Sequence, residues 1–394
     1  MAQRHHGLTY NEVNDGLPMI PDSASNVVGM VVTASDADAS VFPLDTPVLF
    51  TDPTTVLGKA GDQGTLAKSL ESMLYQTRTP TIIVRVPEGT SEAETTANII
   101  GSVDANGRYK GMKALLTAKS ICGAKPKILG VPNLDNEQVT TAMVSVAQAL
   151  RGFVYAETHA ATKEEAIAYR GGFGQRELML IHGDFLNGTD TVSSVAIALG
   201  LRAKWDQDRR SFANSISNKR ANGVTGITKP VSWDPQSPAN TTDADFLNNN
   251  DITCLAREKG FFLWGNRTTS VEMEWAFETH TRTSQALQDT FSDIMLQFYD
   301  NTPSVGLFKD MVHMFDGKLQ DLTREEKLVG GSAWFDPTPN NQANMSAGNF
   351  FFDFDYTPFS PMEHITLTQR KTQRYWVDFV NKVVAMVPSA PANI

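Results

Sequence analysis

No run in this 394-residue sequence approaches the roughly 20 consecutive apolar residues that a membrane-spanning helix needs. The opening residues, Met1-Ala2-Gln3-Arg4-His5-His6, lack the apolar core of a secretory signal. Together these absences lead us to expect a protein that stays in the cytoplasm where it is made and inserts into no membrane. Cysteine is scarce: Cys122 and Cys254 stand far apart, fit neither a disulfide framework nor a metal-binding spacing, and are expected as reduced, buried thiols. A net charge of -10 argues against general nucleic-acid binding. Catalytic signatures are missing as well. No serine stands in a Gly-x-Ser-x-Gly elbow, and Gly171-Gly172-Phe173-Gly174 lacks the Lys-Ser/Thr pair of a phosphate loop. His280, His313 and His364 share no ligand spacing, so no cofactor or metal is expected.

What is present is an ordinary globular balance, 41% hydrophobic and 20% charged, over a length that suits two or three domains. Residues 1–24 read as an arm, since Leu8-Thr9-Tyr10-Asn11-Glu12-Val13 is a short alternating stretch punctuated by Gly7 and Gly16. Residues 25–115 read as a small α/β lobe. Asn26 to Ala34, Pro47 to Thr51 and Thr81 to Val86 are strands, and Thr65 to Tyr75 has the apolar spacing of a helix. Asp36-Ala37-Asp38 would suit a metal but is read as a solvated turn. Residues 116–245 repeat a clearer unit of strand, helix, strand: Lys127 to Pro132, Asn136 to Leu150, Gly152 to Ala156, Lys163 to Tyr169, Glu177 to His182, Asp190 to Lys204. Such alternation over short loops implies a parallel sheet wound with helices, in three layers.

In enzymes of that architecture the site lies at the carboxyl ends of strands. His182-Gly183-Asp184 sits at one such end and His159 follows another, which leaves an α/β hydrolase-like acid/base pair as an alternative. A hydrogen-bonded turn residue is the commoner fate of a histidine so placed. Beyond a loop rich in Asn, Asp, Pro and Thr, residues 246–372 form a third region. Asp251 to Thr268 reads as a hairpin turning at Glu258-Lys259-Gly260. Leu287, Phe291, Ile294, Met295 and Phe298 mark one helix face, and Leu307, Met311, Met314, Phe315 and Leu322 another.

The last stretch carries unusual bonding potential. Gly348 to Tyr356, with Phe350, Phe352 and Phe354, is followed by the breaker Thr357 to Pro361 and by the alternating run Glu363 to Arg370, with Ile365 and Leu367; this reads as a hairpin. After it, residues 373–394 form a second arm, too apolar for a free chain end. Arg370, Lys371, Arg374 and Lys382 face one acid, Asp378, in this end, whereas residues 1–25 hold Arg4 against Glu12, Asp15 and Asp22. An acidic N-terminal strand and a basic C-terminal strand would attract each other across a sheet.

Read in order, Asn26 to Thr33, Pro47 to Thr51, Asn214 to Lys219 before Gly223-Val224-Thr225-Gly226, Leu247 to Arg257 and Gly260 to Thr268 resemble contractile phage tail sheath proteins. Gly330-Gly331-Ser332-Ala333-Trp334, Asn340-Asn341 and Pro361-Met362-Glu363 agree, and the similarity runs through the myophage branch shared with bacteriocin-like particles. The resemblance implies a multi-domain α/β chain: a wound α/β sheet domain plus an α+β C-terminal domain with extended N- and C-terminal arms. It implies a structural subunit, not an enzyme, assembling with itself into stacked six-membered rings around a tail tube protein, with baseplate and tail terminator proteins at the ends. Assembly would occur in the bacterial host cytoplasm and the product would be a virion tail or tail-like particle. Arms would link neighbours by strand addition. Phe350, Phe352, Phe354, Ile365 and Leu367 would belong to the host strands. Leu8, Tyr10, Glu12 and Val13, with Arg370, Arg374, Tyr375, Val377, Phe379, Val380 and Val383, would belong to the donated arms. Trp376, Phe379, Val380, Val383, Val384 and Val387 also have helical spacing, which leaves the form of the second arm open. Lys309, Lys318, Arg324 and Lys327 would face the tube. A generic oligomeric binding module, forming small closed oligomers, is the remaining alternative.

Overall fold

The computed structural model describes residues 25–209 and 211–387. Leu8, Tyr10, Glu12 and Val13 therefore lie outside the described residues. The chain runs through strands β1 (Val28–Thr33) and β2 (Val48–Phe50), helix α1 (Leu66–Leu74), β3 (Thr81–Val86), α2 (Glu92–Ile100) and α3 (Ala118–Cys122). Next come β4 (Ile128–Gly130), α4 (Glu137–Leu150), β5 (Phe153–Glu157), α5 (Lys163–Arg170) and β6 (Leu178–His182). A small hairpin, β7 (Phe185–Asn187) and β8 (Asp190–Val192), precedes α6 (Ser194–Arg209), so the helix expected from Asp190 starts later. Short strands β9 (Arg220–Ala221) and β10 (Gly226–Ile227) lead to α7 (Asp243–Asn248), then β11 (Ile252–Arg257) and β12 (Phe261–Trp264). The remainder is α8 (Glu278–Met295), α9 (Val305–Arg324), β13 (Leu328–Phe335), α10 (Gln342–Ser346), β14 (Phe352–Pro358) and α11 (Arg374–Met386).

Nine strands form one sheet in the order β2-β3-β1-β4-β5-β6-β11-β12-β9. The strands from β3 to β11 in that order run parallel; at one margin β2 pairs antiparallel with β3, and at the other β12 pairs antiparallel with β11 and β9 antiparallel with β12. The strands assigned by sequence to residues 25–115 and 116–245, and the 252–264 hairpin, thus belong to a single sheet. Parallel strands need both faces covered. Alternation along β1 sends Val28, Met30 and Val32 to a core with Leu66, Leu70 and Met73 of α1 and Leu199 of α6, and Val31 to a core with Ile99 of α2 and Met143 of α4. The three-layer expectation holds.

A separate core joins Leu287, Phe291 and Ile294 of α8 to Met314, Phe315, Leu319 and Leu322 of α9. The sheet lying on it is not the hairpin expected from residues 348–370. β14 instead pairs antiparallel with β13, Phe335 opposite Phe352 and Gly331 opposite Tyr356. The reason is local. Asn340 closes the connection, its side chain donating to the Phe351 carbonyl at 2.7 Å and accepting from the Phe351 amide at 3.0 Å. A Cβ on Gly331 would sit 2.8 Å from the Asp355 carbonyl oxygen, so the glycine lets β13 close on its partner. Phe354 then reaches Phe291 with ring centroids 4.6 Å apart. Met362 begins a second compact unit, which ends the body at Pro361.

Candidate functional site

Four places carry the sequence-derived candidates. At the carboxyl ends of β5 and β6, His182 and Asp184 are not brought together. His182 is buried, its Nδ1 lying 3.1 Å from the Thr158 hydroxyl, and burial holds its pKa below the ordinary value. The Asp184 carboxylate accepts from the Ser194 amide at 2.7 Å at the start of α6, a capping role. The polar cluster that does form there was not foreseen. His159 lies 2.9 Å from Asp135 and 2.7 Å from Glu157, and Lys229 donates to Glu157 at 2.9 Å. Burial works against charge in both His159 and Glu157. The mutual bonds prevail, taking His159 up to about 10 and Glu157 down to about 2. Every carboxylate oxygen of Glu157 is engaged, since the Gly183 amide also donates to it at 2.9 Å. This is an ion network whose members bond to one another and to the backbone. Among the described residues no group of three or more His, Cys, Asp or Glu side chains could hold a metal. Asp36 accepts from the amides of Asp62 and Gln63, so its carboxylate ties this bend to the distant 61–64 loop. Cys254 is buried, its thiol pushed up to about 12 by burial, whereas Cys122 is only half-buried.

The second place is the β13–β14 sheet. Beyond their mutual pairing, neither strand is hydrogen-bonded to another strand among the described residues. Phe352 and Tyr356 turn toward the α8–α9 core, and Asp353, Asp355 and Thr357 lie exposed on the opposite side. Asp355 is partly used, accepting from the Ser332 amide and hydroxyl at 3.0 Å. The sheet therefore offers unpaired edges with one apolar and one acidic face.

The third place is the chain end. Residues 362–373 are free of helix and strand, and Ile365 and Leu367, expected in a host strand, stand exposed outside any sheet. Of the residues after Tyr375, whose form the sequence left open, 376–386 are helical within α11, and 388–394 lie outside the described residues. Spacing at i, i+3 and i+4 puts Trp376, Phe379, Val380, Val383 and Val384 on one stripe, and all are exposed. The Trp376 and Phe379 rings pack edge-on at 5.5 Å, so the stripe is locally organised. Tyr375 and Val377 are exposed too, and the Arg374 guanidinium lies over the Tyr375 ring.

The fourth place is the set of basic residues on and after α9. Lys309 is exposed and Lys318 half-buried. Arg324 is exposed and ion-paired with Asp321. Lys327 is buried, with its ammonium 2.8 Å from Glu325, which withdraws it from any surface. Its burial follows from position, since Leu328 next to it anchors β13 in the core.

Similarity to other proteins runs over almost the whole chain. The sequence model for the phage tail sheath protein central domain matches residues 107–269. The tail sheath protein of Escherichia phage P2 is 42% identical over 97% of this chain and 99% of its own length. The major tail sheath protein of Serratia phage KSP20 is 40% identical over 94% of this chain and 96% of its own. Among solved structures, the sheath complex of an extracellular contractile injection system in its contracted state aligns with a TM-score of 0.70, at 13% identity, over 95% of this chain and 99% of that one. The helical sheath of the anti-feeding prophage, also contracted, aligns with a TM-score of 0.69, at 16% identity, over 94% and 100%. These structures share the fold, and the two phage proteins share the sequence. This chain belongs to the phage tail sheath protein family.

Proposed function

We propose that this tail sheath subunit polymerises with copies of itself into stacked six-membered rings around a tail tube, and that the lattice contracts to drive the tube through a cell envelope. Baseplate and terminator proteins would bound the lattice at its ends, assembly would take place in the host cytoplasm, and the product would be a virion tail or a bacteriocin-like particle. The observation that carries this reading is the coincidence, in one chain, of an unpaired β13–β14 sheet with an extended, exposed end of complementary character.

In this reading residues 363–370, expected from the sequence as a host strand, lie on the donor side, because they stand outside any sheet. Ile365 and Leu367 alternate with Thr366, Thr368 and Arg370. A strand added beside β14 would lay Ile365 and Leu367 on the face of Phe352 and Tyr356, and Thr368 and Arg370 on the face of Asp353 and Asp355. Main-chain bonds supply the affinity of such a join and the alternating side chains its register. The join needs few side-chain contacts with the rest of the partner, so it can persist while subunits slide and rotate. The α11 stripe would then be covered by the neighbour. Of the tube-facing candidates, Lys309 and Arg324 keep an exposed cation. Contraction needs no nucleotide if the assembled state is metastable, because many small differences between two packings add along the array.

Electron microscopy of the full-length protein beside chains ending at Thr372 and at Pro361, each with and without co-expressed tube protein, tests this. Tubes from the full chain and none from the chain ending at Pro361 are expected. Tubes from all three would remove the C-terminal end from the mechanism, and small closed particles in every case would favour the binding-module alternative.

A further inference from the structure

Residues 268–277, between β12 and α8, form a knob fixed at its base. The Thr268 hydroxyl donates to the Trp275 carbonyl at 2.7 Å, the Thr268 amide donates to the Ala276 carbonyl at 2.8 Å, and the Arg176 guanidinium lies 4.0 Å from the centre of the Trp275 ring. At the tip, beside the single turn Met273–Trp275, Val271 and Met273 are 79% and 80% exposed. Glu272 and Glu274 alternate with them and are exposed as well. Two bare apolar side chains on a fixed turn, flanked by two carboxylates, have the composition of a contact surface rather than of a mere connection.

The other end of α8 carries the counterpart. A cleft of about 400 Å³ lies between the last turns of α8 and the loop after α3. Leu296 and Tyr299, each 62% exposed, make an apolar wall. Lys119, Lys125, Lys127 and Arg151 line it too, against Asp289 and Asp293. Asp289 is already engaged: Arg151 donates to it at 2.7 Å, Lys127 is ion-paired with it, and Lys125 lies 3.8 Å away. Lys127 is buried in that cluster, whereas Lys119 is exposed and Lys125 partly so. The cleft therefore offers positive charge beside an apolar wall.

We propose that the 271–274 knob of one subunit docks in this cleft on a second copy, with Val271 and Met273 against Leu296 and Tyr299, and Glu272 and Glu274 toward Lys119 and Lys125. Apolar surface meets apolar surface and acid meets base, as in an interface with a dry centre and a charged rim. The occupant belongs to another copy because knob and cleft stand at the two ends of α8, whose 18 residues measure about 27 Å, so no chain fills its own cleft. The two surfaces differ, which makes the contact head-to-tail: it repeats from copy to copy, where a self-complementary contact would stop at two. The inference rests on the self-assembly proposed above and adds to it a contact made by the folded body, separate from the chain end.

Two experiments on the full-length protein with co-expressed tube protein test it. In the first, Glu272→Lys with Glu274→Lys, Lys119→Glu with Lys125→Glu, and all four changes together are compared at low salt. Either pair is expected to lower tube yield about tenfold and the four together to recover most of it, with the melting midpoint of the subunit unchanged. No loss from either pair, or no recovery in the combined variant, overturns the contact; where a midpoint falls, the second experiment decides. In that experiment Met273→Cys and Leu296→Cys, in a Cys122→Ser background, are oxidised singly and together in one chain. A ladder of multimers from the chain carrying both, and monomers from each single variant, is expected. Dimers from a single variant, or no ladder, overturn the head-to-tail contact. Tubes without a ladder leave assembly standing and remove this contact from it, whereas a ladder without tubes keeps the contact and removes the proposed tube.

Discussion

The nine-stranded sheet and the β13–β14 sheet face the same physical problem, the unpaired edge, and meet it in opposite ways. The large sheet closes with β2, three residues long, at one margin and β9, two residues long, at the other. Edges that short template little pairing. The small sheet keeps strands of eight and seven residues with unpaired outer edges, and the chain end that follows leaves an apolar helical stripe exposed. One region is finished by folding. The other has the composition of a structure completed by a second copy, and a chain that left such edges open without a partner would be prone to aggregate.

Breaking the difference gives the largest expected effects. Phe315→Ala, in the α8–α9 core under β14, should cost about 3–5 kcal/mol and show as lost cooperativity in a thermal melt. Trp376→Ala on the exposed stripe should change the subunit's own stability by about 0.5 kcal/mol or less, yet reduce tube yield in electron micrographs. Equal losses of stability in both would mean the stripe is buried within the subunit.

Smaller changes sharpen the comparison. Leu367→Pro removes a main-chain donor from the segment proposed to pair with a neighbour and should abolish tubes without moving the melting midpoint; intact tubes would return residues 363–370 to a loop role. Reversing Asp353 and Asp355 to lysine should weaken assembly at low salt, each cross-strand pair being worth about 0.2–1 kcal/mol, and Arg370→Glu should restore part of it. Failure of that rescue would remove charge from the register.

The smallest effect belongs to the finished region. His159 is raised above its unfolded value, so its contribution is fully present below about pH 6.5 and is lost as pH rises toward about 10. Glu157 is lowered, so its contribution is present above about pH 4.5 and is lost as pH falls toward about 2. Between pH 6.5 and 8 the wild type should lose stability faster than His159→Gln. The ring is 41% exposed, so solvent screening keeps the difference small. Parallel pH profiles would show that the cluster contributes nothing by its charge.

Periodicity made much of this legible in the sequence. The alternation of β1 and β3 with amphipathic helices gave three layers, the turn at Glu258-Lys259-Gly260 gave the β11–β12 hairpin, and the apolar faces of α8 and α9 gave the second core. Arg202 and Asp206 carried a readable signal that was missed: they are one helical turn apart on the buried stripe of α6, at a spacing where unpaired charges would be untenable. The Asp135–Glu157–His159–Lys229 network had no such signal, because Lys229 arrives from a loop without periodicity.

The sequence by itself determined the family, the order of elements and the apolar, basic end, since these depend on residues near one another in the chain or on resemblance along it. Tertiary structure decided which strands pair. Strand pairing depends on contacts between distant segments, and local pattern cannot rank β13 above residues 363–370 as the partner of β14. It also decided which charges are buried. Lys327 and Arg324 are both basic and only three residues apart, yet the start of β13 draws one inside and leaves the other in water.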